Sequence, residues 1–363
     1  MQKAQLLLIF VLPISFIGLG CQSSNSSQSD TEEVNEADSV ITQEFLTDPL
    51  VSHLYTADPS AHVFNDTLYI YPSHDIESDI PADDLGSQFD MRDYHVFSMT
   101  EMGSEVTDHG VALSVGEVPW AERQMWAPDA AYRDGMYYLY FPAKDKAGIF
   151  KIGVATSTSP TGPFNPNPEP IAGSFSIDPA VFKDSDGAYY MYFGGIWGGQ
   201  LQRWEGGNYV SEDTYPADNQ PAISPKVARL TDDMLEFAEE PKDVVILDES
   251  SEPLKSGDND RRFFEAAWVH KHQNTYYFSY STGDTHYIAY ATGDNPYGPF
   301  TYRGVVLNPV LGWTNHHSIV EFNEQWYLFY HDAELSEGQT HLRNIKVTEL
   351  TYRSDGSIET ITP

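Results

Sequence analysis

Five stretches of this chain repeat one pattern, a polar turn running straight into an aromatic strand. They are Asn65-Asp66-Thr67-Leu68-Tyr69-Ile70-Tyr71, Asp134-Gly135-Met136-Tyr137-Tyr138-Leu139-Tyr140, Asp186-Gly187-Ala188-Tyr189-Tyr190-Met191-Tyr192, Gln273-Asn274-Thr275-Tyr276-Tyr277-Phe278-Ser279 and Asn323-Glu324-Gln325-Trp326-Tyr327-Leu328-Phe329. Asn-Asp and Asp-Gly pairs accept the positive φ of a tight hairpin turn, and the aromatic and β-branched residues after them suit a pleated, buried strand. Each stretch therefore reads as the second strand of a hairpin. Their starts lie 69, 52, 87 and 50 residues apart, room for one four-stranded sheet each time plus insertions. Five such sheets close most economically into a ring. A second repeat agrees, since Ala155-Thr156-Ser157-Thr158-Ser159-Pro160-Thr161-Gly162-Pro163-Phe164 recurs 136 residues later as Ala291-Thr292-Gly293-Asp294-Asn295-Pro296-Tyr297-Gly298-Pro299-Phe300. Long amphipathic helical patterns are lacking. The expected fold class is all-β, a five-bladed β-propeller over residues 46–363.

The N-terminal residues stand outside that repeat. Residues 1–20 carry Lys3, apolar runs at 6–12 and 14–19, and small residues before Cys21, the chain's single cysteine. That is the layout of an export signal rather than of a folded element. It resembles a bacterial lipoprotein signal, whose cysteine is lipidated and becomes the new N-terminus. Gln22 rather than Asp after that cysteine implies, by the same resemblance, a lipid anchor in an outer membrane, facing the periplasm or the surface. Residues 21–45 are Ser-rich and acidic with little to bury, as expected of a flexible tether. No later run reaches the roughly 18 to 20 apolar residues that a membrane span needs.

Lys plus Arg total 20 against 54 Asp plus Glu, a formal charge of −34. Such a surface repels a phosphate backbone and an anionic bilayer, so nucleic acid is excluded as a partner and membrane contact falls to the lipid anchor alone. A neutral ligand such as a sugar meets no such barrier.

Chemistry emerges from what precedes each repeated strand. In a propeller the innermost strand of every blade lines the central channel, so its polar residues converge from distant points in sequence. Those strands carry Ala57-Asp58-Pro59, Ala127-Pro128-Asp129-Ala130, Ile177-Asp178-Pro179-Ala180, Phe264-Glu265-Ala266-Ala267 and His316-His317-Ser318. One structural position thus offers Asp58, Asp129, Asp178, Glu265 and His316. Any one Asp-Pro pair is also an ordinary turn dipeptide, but five in register argue for a shared site. Carboxylates gathered in an aromatic-lined site suit glycoside hydrolysis, where one must be ionised to activate water and another must hold a proton for the leaving oxygen. Arg343 offers donors to sugar hydroxyls, and Trp126, Trp197, Phe264 and Trp313 offer faces to the apolar side of a ring. Each of those aromatics alone is equally at home in a core.

These residues carry a resemblance. Residues 47 to about 352 resemble glycoside hydrolase family 43, inverting enzymes with a five-bladed propeller, through Ala57-Asp58-Pro59, Trp126-Ala127-Pro128-Asp129, Ile177-Asp178-Pro179 and Phe263-Phe264-Glu265-Ala266 in that order. The resemblance implies Asp58 as general base, Glu265 as general acid and Asp178 as the carboxylate that tunes and orients the acid, with Asp129 among the substrate-binding residues. Inversion requires the base and the acid to stand roughly 6.5 to 9.5 Å apart, leaving room for a water. His316 matches a histidine that in many members binds a channel calcium ion largely through waters, and no organic cofactor is implied. Tyr71-Pro72-Ser73-His74-Asp75, with His74 as a sugar contact, and Gly312-Trp313-Thr314-Asn315-His316-His317-Ser318 look most like the β-xylosidase branch. α-L-Arabinofuranosidases share that frame and remain the alternative; the implied substrate is a pentose-terminated oligosaccharide. A catalytically silent sugar-binding propeller is the remaining reading, and it would be expected to lack at least one of the three carboxylates.

Overall fold

The structure, a computed structural model, describes residues 48–363. The expected signal, Cys21 and the tether lie outside the described residues. The aromatic stretches form the second strands of five successive antiparallel sheets, as the repeat requires. Blade 1 runs Tyr55–Phe64, Thr67–Asp75, Asp93–Met99, Thr107–Ser114 in sequence order. Blade 2 contains Asp129–Arg133, Met136–Asp145, Phe150–Ser157 and Asn165–Pro166, with Ala121–Arg123 added beside the second strand. Blade 3 is Ala180–Lys183, Tyr189–Phe193, Lys226–Arg229 and Lys242–Asp243. Blade 4 is Glu265–His272, Thr275–Ser281, Ile288–Gly293 and Phe300–Leu307, and Ile246–Leu247 pairs in parallel with its outer strand.

Blade 5 departs from the expected four strands. Among the described residues it has three, His317–Phe322, Gln325–Asp332 and Asn344–Glu349. Alongside its third strand Leu50, which precedes blade 1, and Thr56 of blade 1's first strand supply backbone donors, Leu50 N–H to Ile345 O at 2.8 Å and Thr56 N–H to Arg343 O at 2.9 Å. The first and last blades are thereby tied, which protects an edge that would otherwise stand open. Leu68, Ile70 and Phe97 of blade 1 share one apolar cluster with Phe322, Phe329 and Ile345 of blade 5.

The hairpin turns explain why these sequences nucleate blades. Asn65 and Asp66, Asp134 and Gly135, and Asn323 and Glu324 all have φ between 50° and 87°, the paired left-handed conformation of a two-residue hairpin turn. On each following strand the last tyrosine, Tyr71, Tyr140, Tyr192, Tyr280 or Tyr330, is fully buried. Four of these hydroxyls donate to backbone carbonyls, Tyr71 to Pro160 at 2.8 Å and Tyr140 to Met234 at 2.9 Å, with Tyr192 to Pro296 and Tyr280 to Arg261. Pro160 and Pro296 occupy equivalent places in the second sequence repeat, so that repeat is a socket for the preceding blade's tyrosine. Each such bond contributes about 1 kcal/mol net, and only the Tyr330 hydroxyl among these five finds no partner among the described residues. Among the described residues helical structure is limited to three short 3-10 turns, and no helix is long and apolar enough to cross a membrane.

Candidate active site

The innermost strands meet at a cavity of about 340 Å³ lined by Asp58, Asp178, Glu265, His316 and Arg343, with Trp126, Trp197, Phe264 and Trp313 in its walls. Local irregularities aim the acids into it. The pairing of Tyr55–Phe64 with Thr67–Asp75 slips between Ala57 and Ser60, and Asp58 within the slip has φ 50°. Blade 4 repeats the device between Glu265 and Trp268, with Ala266 at φ 62°. A bulge turns a side chain out of the ladder at the expense of an unpaired N–H and about 1–3 kcal/mol of backbone strain. Here both freed donors are satisfied by side chains of the site. Asp58 N–H donates to His331 Nδ1 at 3.0 Å, and Ala266 N–H donates to Asp178 Oδ2 at 2.9 Å.

Asp58 is the most heavily supported acid. Its Oδ2 accepts the Ser73 hydroxyl at 2.6 Å, while Arg343 Nη1 and Nη2 donate to Oδ1 and Oδ2 at 3.0 and 3.3 Å. Burial pushes this carboxyl upward, but the Arg343 guanidinium, with His331, His316 and the Ser73 hydroxyl, outweighs it and holds the pKa at about 2. Asp58 is ionised at every ordinary pH. Glu265 lies at the other extreme, raised to about 8 by burial and then by the charge of Asp58. Asp178 is also pushed up, by burial, by Glu265 and by Asp58. Asp178 and Glu265 therefore resist ionising together and titrate as a pair. The Ala266 N–H favours the charge on Asp178, whereas Glu265 accepts no hydrogen bond among the described residues, so the shared proton belongs on Glu265.

Arg343 enters differently from its expected role as a donor to sugar hydroxyls. Nε and Nη2 grip Asp75 at 2.8 Å each, Nη1 and Nη2 hold Asp58, and Nη1 also reaches Thr314 Oγ1 at 3.2 Å. All five of its N–H groups are thus engaged with protein oxygens, leaving none for a ligand. Phe89 lies 5.0 Å from the guanidinium, over its face. His331 is neutral, its pKa pressed to about 3 by burial and by Arg343. With Nδ1 accepting the Asp58 N–H and Nε2 3.0 Å from Thr314 O, its tautomer carries the proton on Nε2.

The aromatic residues form two walls. Trp197 stacks on Trp313 at 5.4 Å, and Phe264 meets both edge-on at 5.4 and 5.6 Å. Gly283, at φ 70°, makes room for Phe264, because a Cβ there would lie 2.2 Å from the ring. Trp126, also in the lining, donates its indole N–H to Phe89 O at 2.8 Å.

Two expected sugar contacts fall elsewhere. Asp129 pairs with Tyr140 as Ser60 pairs with Tyr71, two residues further along its strand than Asp58 stands on blade 1; it is fully buried, accepting from Ser60 Oγ and Val181 N–H and lying 2.6 Å from His62 Nε2. It joins blades 1, 2 and 3 and does not line the cavity. His74 is likewise absent from the lining; its Nδ1 lies 2.6 Å from Asp93 Oδ1 on the blade face, because alternate residues of a strand point to opposite sides and Ser73 and Asp75 take the inward one. Conversely, sequence reasoning passed over Ser73, Asp75, His331, Thr314 and Phe89. Asp75 and Ser73 stand in the Tyr71–Asp75 motif, and His331 closes the fifth aromatic strand, so their positions carried a signal that their residue types did not.

His316 lines the cavity with Nδ1 3.6 Å from Asp58 Oδ1 and 4.0 Å from Asp178 Oδ2, too far for hydrogen bonds. Burial, reinforced by Arg343, lowers its pKa to about 4, so it is a neutral imidazole with a lone pair available. That suits an ion held by one nitrogen and by water; it does not supply the multiple oxygens that bind calcium directly.

Known proteins share this arrangement. The sequence pattern of Glycosyl hydrolases family 43 matches residues 47–358. Xylosidase/arabinosidase 43A of Humicola insolens is 62% identical over 324 residues, spanning 87% of this chain and 99% of that protein. The GH43 β-xylosidase/α-arabinofuranosidase CoXyl43 from a compost microbial metagenome, solved with xylotriose in a calcium-free form, superposes with a TM-score of 0.86 at 68% identity, covering 87% of this chain and 97% of that one. The GH43_1 enzyme of Xanthomonas citri in complex with xylotriose gives 0.84 at 56% identity, covering 91% and 97%. With matches of this length over a cavity that holds all three expected carboxylates, the chain belongs to glycosyl hydrolases family 43.

Proposed function

We propose that this glycoside hydrolase removes the terminal xylose from xylan-derived oligosaccharides with inversion at the anomeric carbon. The observation that carries the reading is one cavity presenting two carboxyls in opposite protonation states, Asp58 ionised and Glu265 protonated. Asp58 takes a proton from the attacking water, Glu265 gives its proton to the departing glycosidic oxygen, and Asp178 keeps that proton on Glu265 between turnovers. Arg343 keeps Asp58 charged and fixed against Asp75. A carboxylate with so low a pKa is a weak base, but the water it faces becomes acidic as it bonds to the developing oxocarbenium carbon, so orientation and charge matter more than basicity. The Trp197, Trp313 and Phe264 wall supports the apolar face of the ring.

The xylose reading draws support from the relatives and the xylotriose complexes named above. α-L-Arabinofuranosidase action is the second reading, favoured by the double naming of the Humicola insolens and compost proteins. Rates on xylobiose beside arabinose release from arabinosylated xylan separate the two: faster turnover of xylobiose supports the first, and arabinose release alone overturns it. His316 is proposed as the protein ligand of a channel calcium ion, which would supply a fixed positive charge beside the sugar site. Export with lipidation at Cys21 and an outer-membrane anchor completes the proposal. Cys21→Ser should leave the protein unprocessed or soluble, and a wild-type protein found wholly soluble in cell fractions contradicts the anchor.

A further inference from the structure

On the blade 1 face turned toward blade 5, three side chains that take no part in the sugar cavity come together. His74 is the penultimate residue of the second strand, and Asp93 and His95 project from the same side of the third. One ligand atom from each lies within 4.8 Å of the other two. We propose that His74, Asp93 and His95 form a binding site for a zinc-class divalent cation, which staples the base of the 76–92 segment.

Three features support the assignment. The donor set is two imidazoles and one carboxylate, the mixed nitrogen and oxygen set that zinc accepts and that calcium, which wants six to eight oxygens, does not. Second, the outer layer that orients a metal-bound histidine is in place. His95 Nδ1 lies 3.0 Å from Asp108 Oδ1, and Asp108 Oδ2 lies 2.8 Å from His53 Nε2, so Nε2 of His95 is the atom left for a metal. Asp108 accepts the Gly110 N–H as well at 2.7 Å, which fixes its carboxylate to brace a histidine. Third, access is open, for the His74, Asp93 and His95 side chains retain 16%, 24% and 13% exposure. At present a hydrogen bond of 2.6 Å joins His74 Nδ1 and Asp93 Oδ1. A cation takes the place of that proton, which the neutral imidazole then carries on its other ring nitrogen.

The position gives the staple its consequence. Residues 76–92 leave the second strand directly after Asp75 and return at Asp93, and in between they contribute Asp83, Gly86, Gln88 and Phe89 to the sugar cavity. A cation joining His74 to Asp93 and His95 therefore clamps both stems of the segment that walls the active site. Closing a loop of this length by a metal also reduces the freedom of the unfolded chain.

The test uses the purified wild-type enzyme, stripped with a chelator and titrated with Zn2+ in a calorimeter and by thermal melting. The expected result is one site, a melting temperature that rises with zinc concentration, and no displacement by a tenfold excess of Ca2+. Asp93→Asn and His95→Ala lose the binding and the shift, and His316→Ala keeps both, which separates this site from the channel. Wild-type crystals soaked in Zn2+ should show an anomalous peak about 2.0–2.2 Å from the three ligand atoms. That measurement stands even if a variant fails to fold. Absence of zinc binding, binding retained in both variants, or no peak among the three residues overturns the proposal.

Discussion

Asp178 Oδ2 accepts the Ala266 N–H at 2.9 Å, so a carboxylate from blade 3 is anchored to the residue that directly follows Glu265 on blade 4. One bond thereby satisfies the donor freed by the blade 4 bulge, stabilises charge on Asp178, and sets that charge beside the proposed acid. Burial and the charge of Asp58 hold the proton on Glu265, and repulsion between Asp178 and Glu265 keeps the pair from ionising together.

Asp178→Asn should therefore move the alkaline limb of the kcat/KM profile. In the wild type activity should fall as Glu265, its pKa raised to about 8, loses its proton. Removing the neighbouring charge lowers the pKa of Glu265, so the limb shifts toward acid and activity at pH 7 drops by at least tenfold. A pH-rate series on a natural disaccharide checks this, and an unmoved limb excludes Asp178 as the tuning group.

Glu265→Gln should separate substrates by leaving group. A dinitrophenolate departs without a proton while a sugar alcohol does not, so loss on xylobiose should reach two to four orders of magnitude and loss on the activated xyloside should be far smaller. Stability adds a second readout. The folded-state pKa of Glu265 is raised from 4.5 to about 8, so the folded protein binds more protons than the unfolded chain between those values and loses stability as pH climbs through them. The Gln variant escapes that loss, and its melting temperature should exceed the wild type's by a margin that grows from pH 5 to pH 8. Equal losses on both substrates contradict the acid assignment.

How far the sequence carried depends on the kind of residue. The propeller was legible because the aromatic second strands and their turns repeat, and local repetition survives without knowledge of contacts. Asp58, Asp178, Glu265 and His316 were legible because each precedes its repeat by seven or eight residues. Arg343 and Asp129 show the limit. A residue type announces what it is able to bond, but the five N–H groups of Arg343 are consumed by Asp58, Asp75 and Thr314, which lie far from it in sequence. Asp129, five residues before its repeat rather than seven or eight, is consumed by Ser60, His62 and Val181. The three-stranded fifth blade was hidden for the same reason, because its closing partners, Leu50 and Thr56, come from before and within the first strand of blade 1.

Arg343→Met should release Asp58 from its counter-charge. Burial then dominates and the carboxyl rises from about 2, so an acidic limb should appear in the measurable pH range, above pH 4. The same change leaves Asp58 and Asp75 buried without a cation, at a stability loss on the order of 3–5 kcal/mol. Denaturant melts and a pH-rate profile read both effects; a profile that stays flat to pH 4 contradicts the role given to Arg343.

Exhaustive chelation should lower activity severalfold, and added Ca2+ should restore it in the wild type but not in His316→Ala. Because the His316 imidazole is held near pKa 4, that metal response should persist down to about pH 5 and vanish below its pKa. An activity and melting curve indifferent to chelation remove the channel ion from the account.

Proton NMR of the first-formed product tests the central claim most directly. An Asp58-activated water attacking opposite the leaving group releases α-xylose first from a β-xyloside, with the β-anomer growing in later by mutarotation. Appearance of β-xylose first would mean retention, and neither the water-activating role of Asp58 nor the acid and base division between Asp58 and Glu265 would survive it.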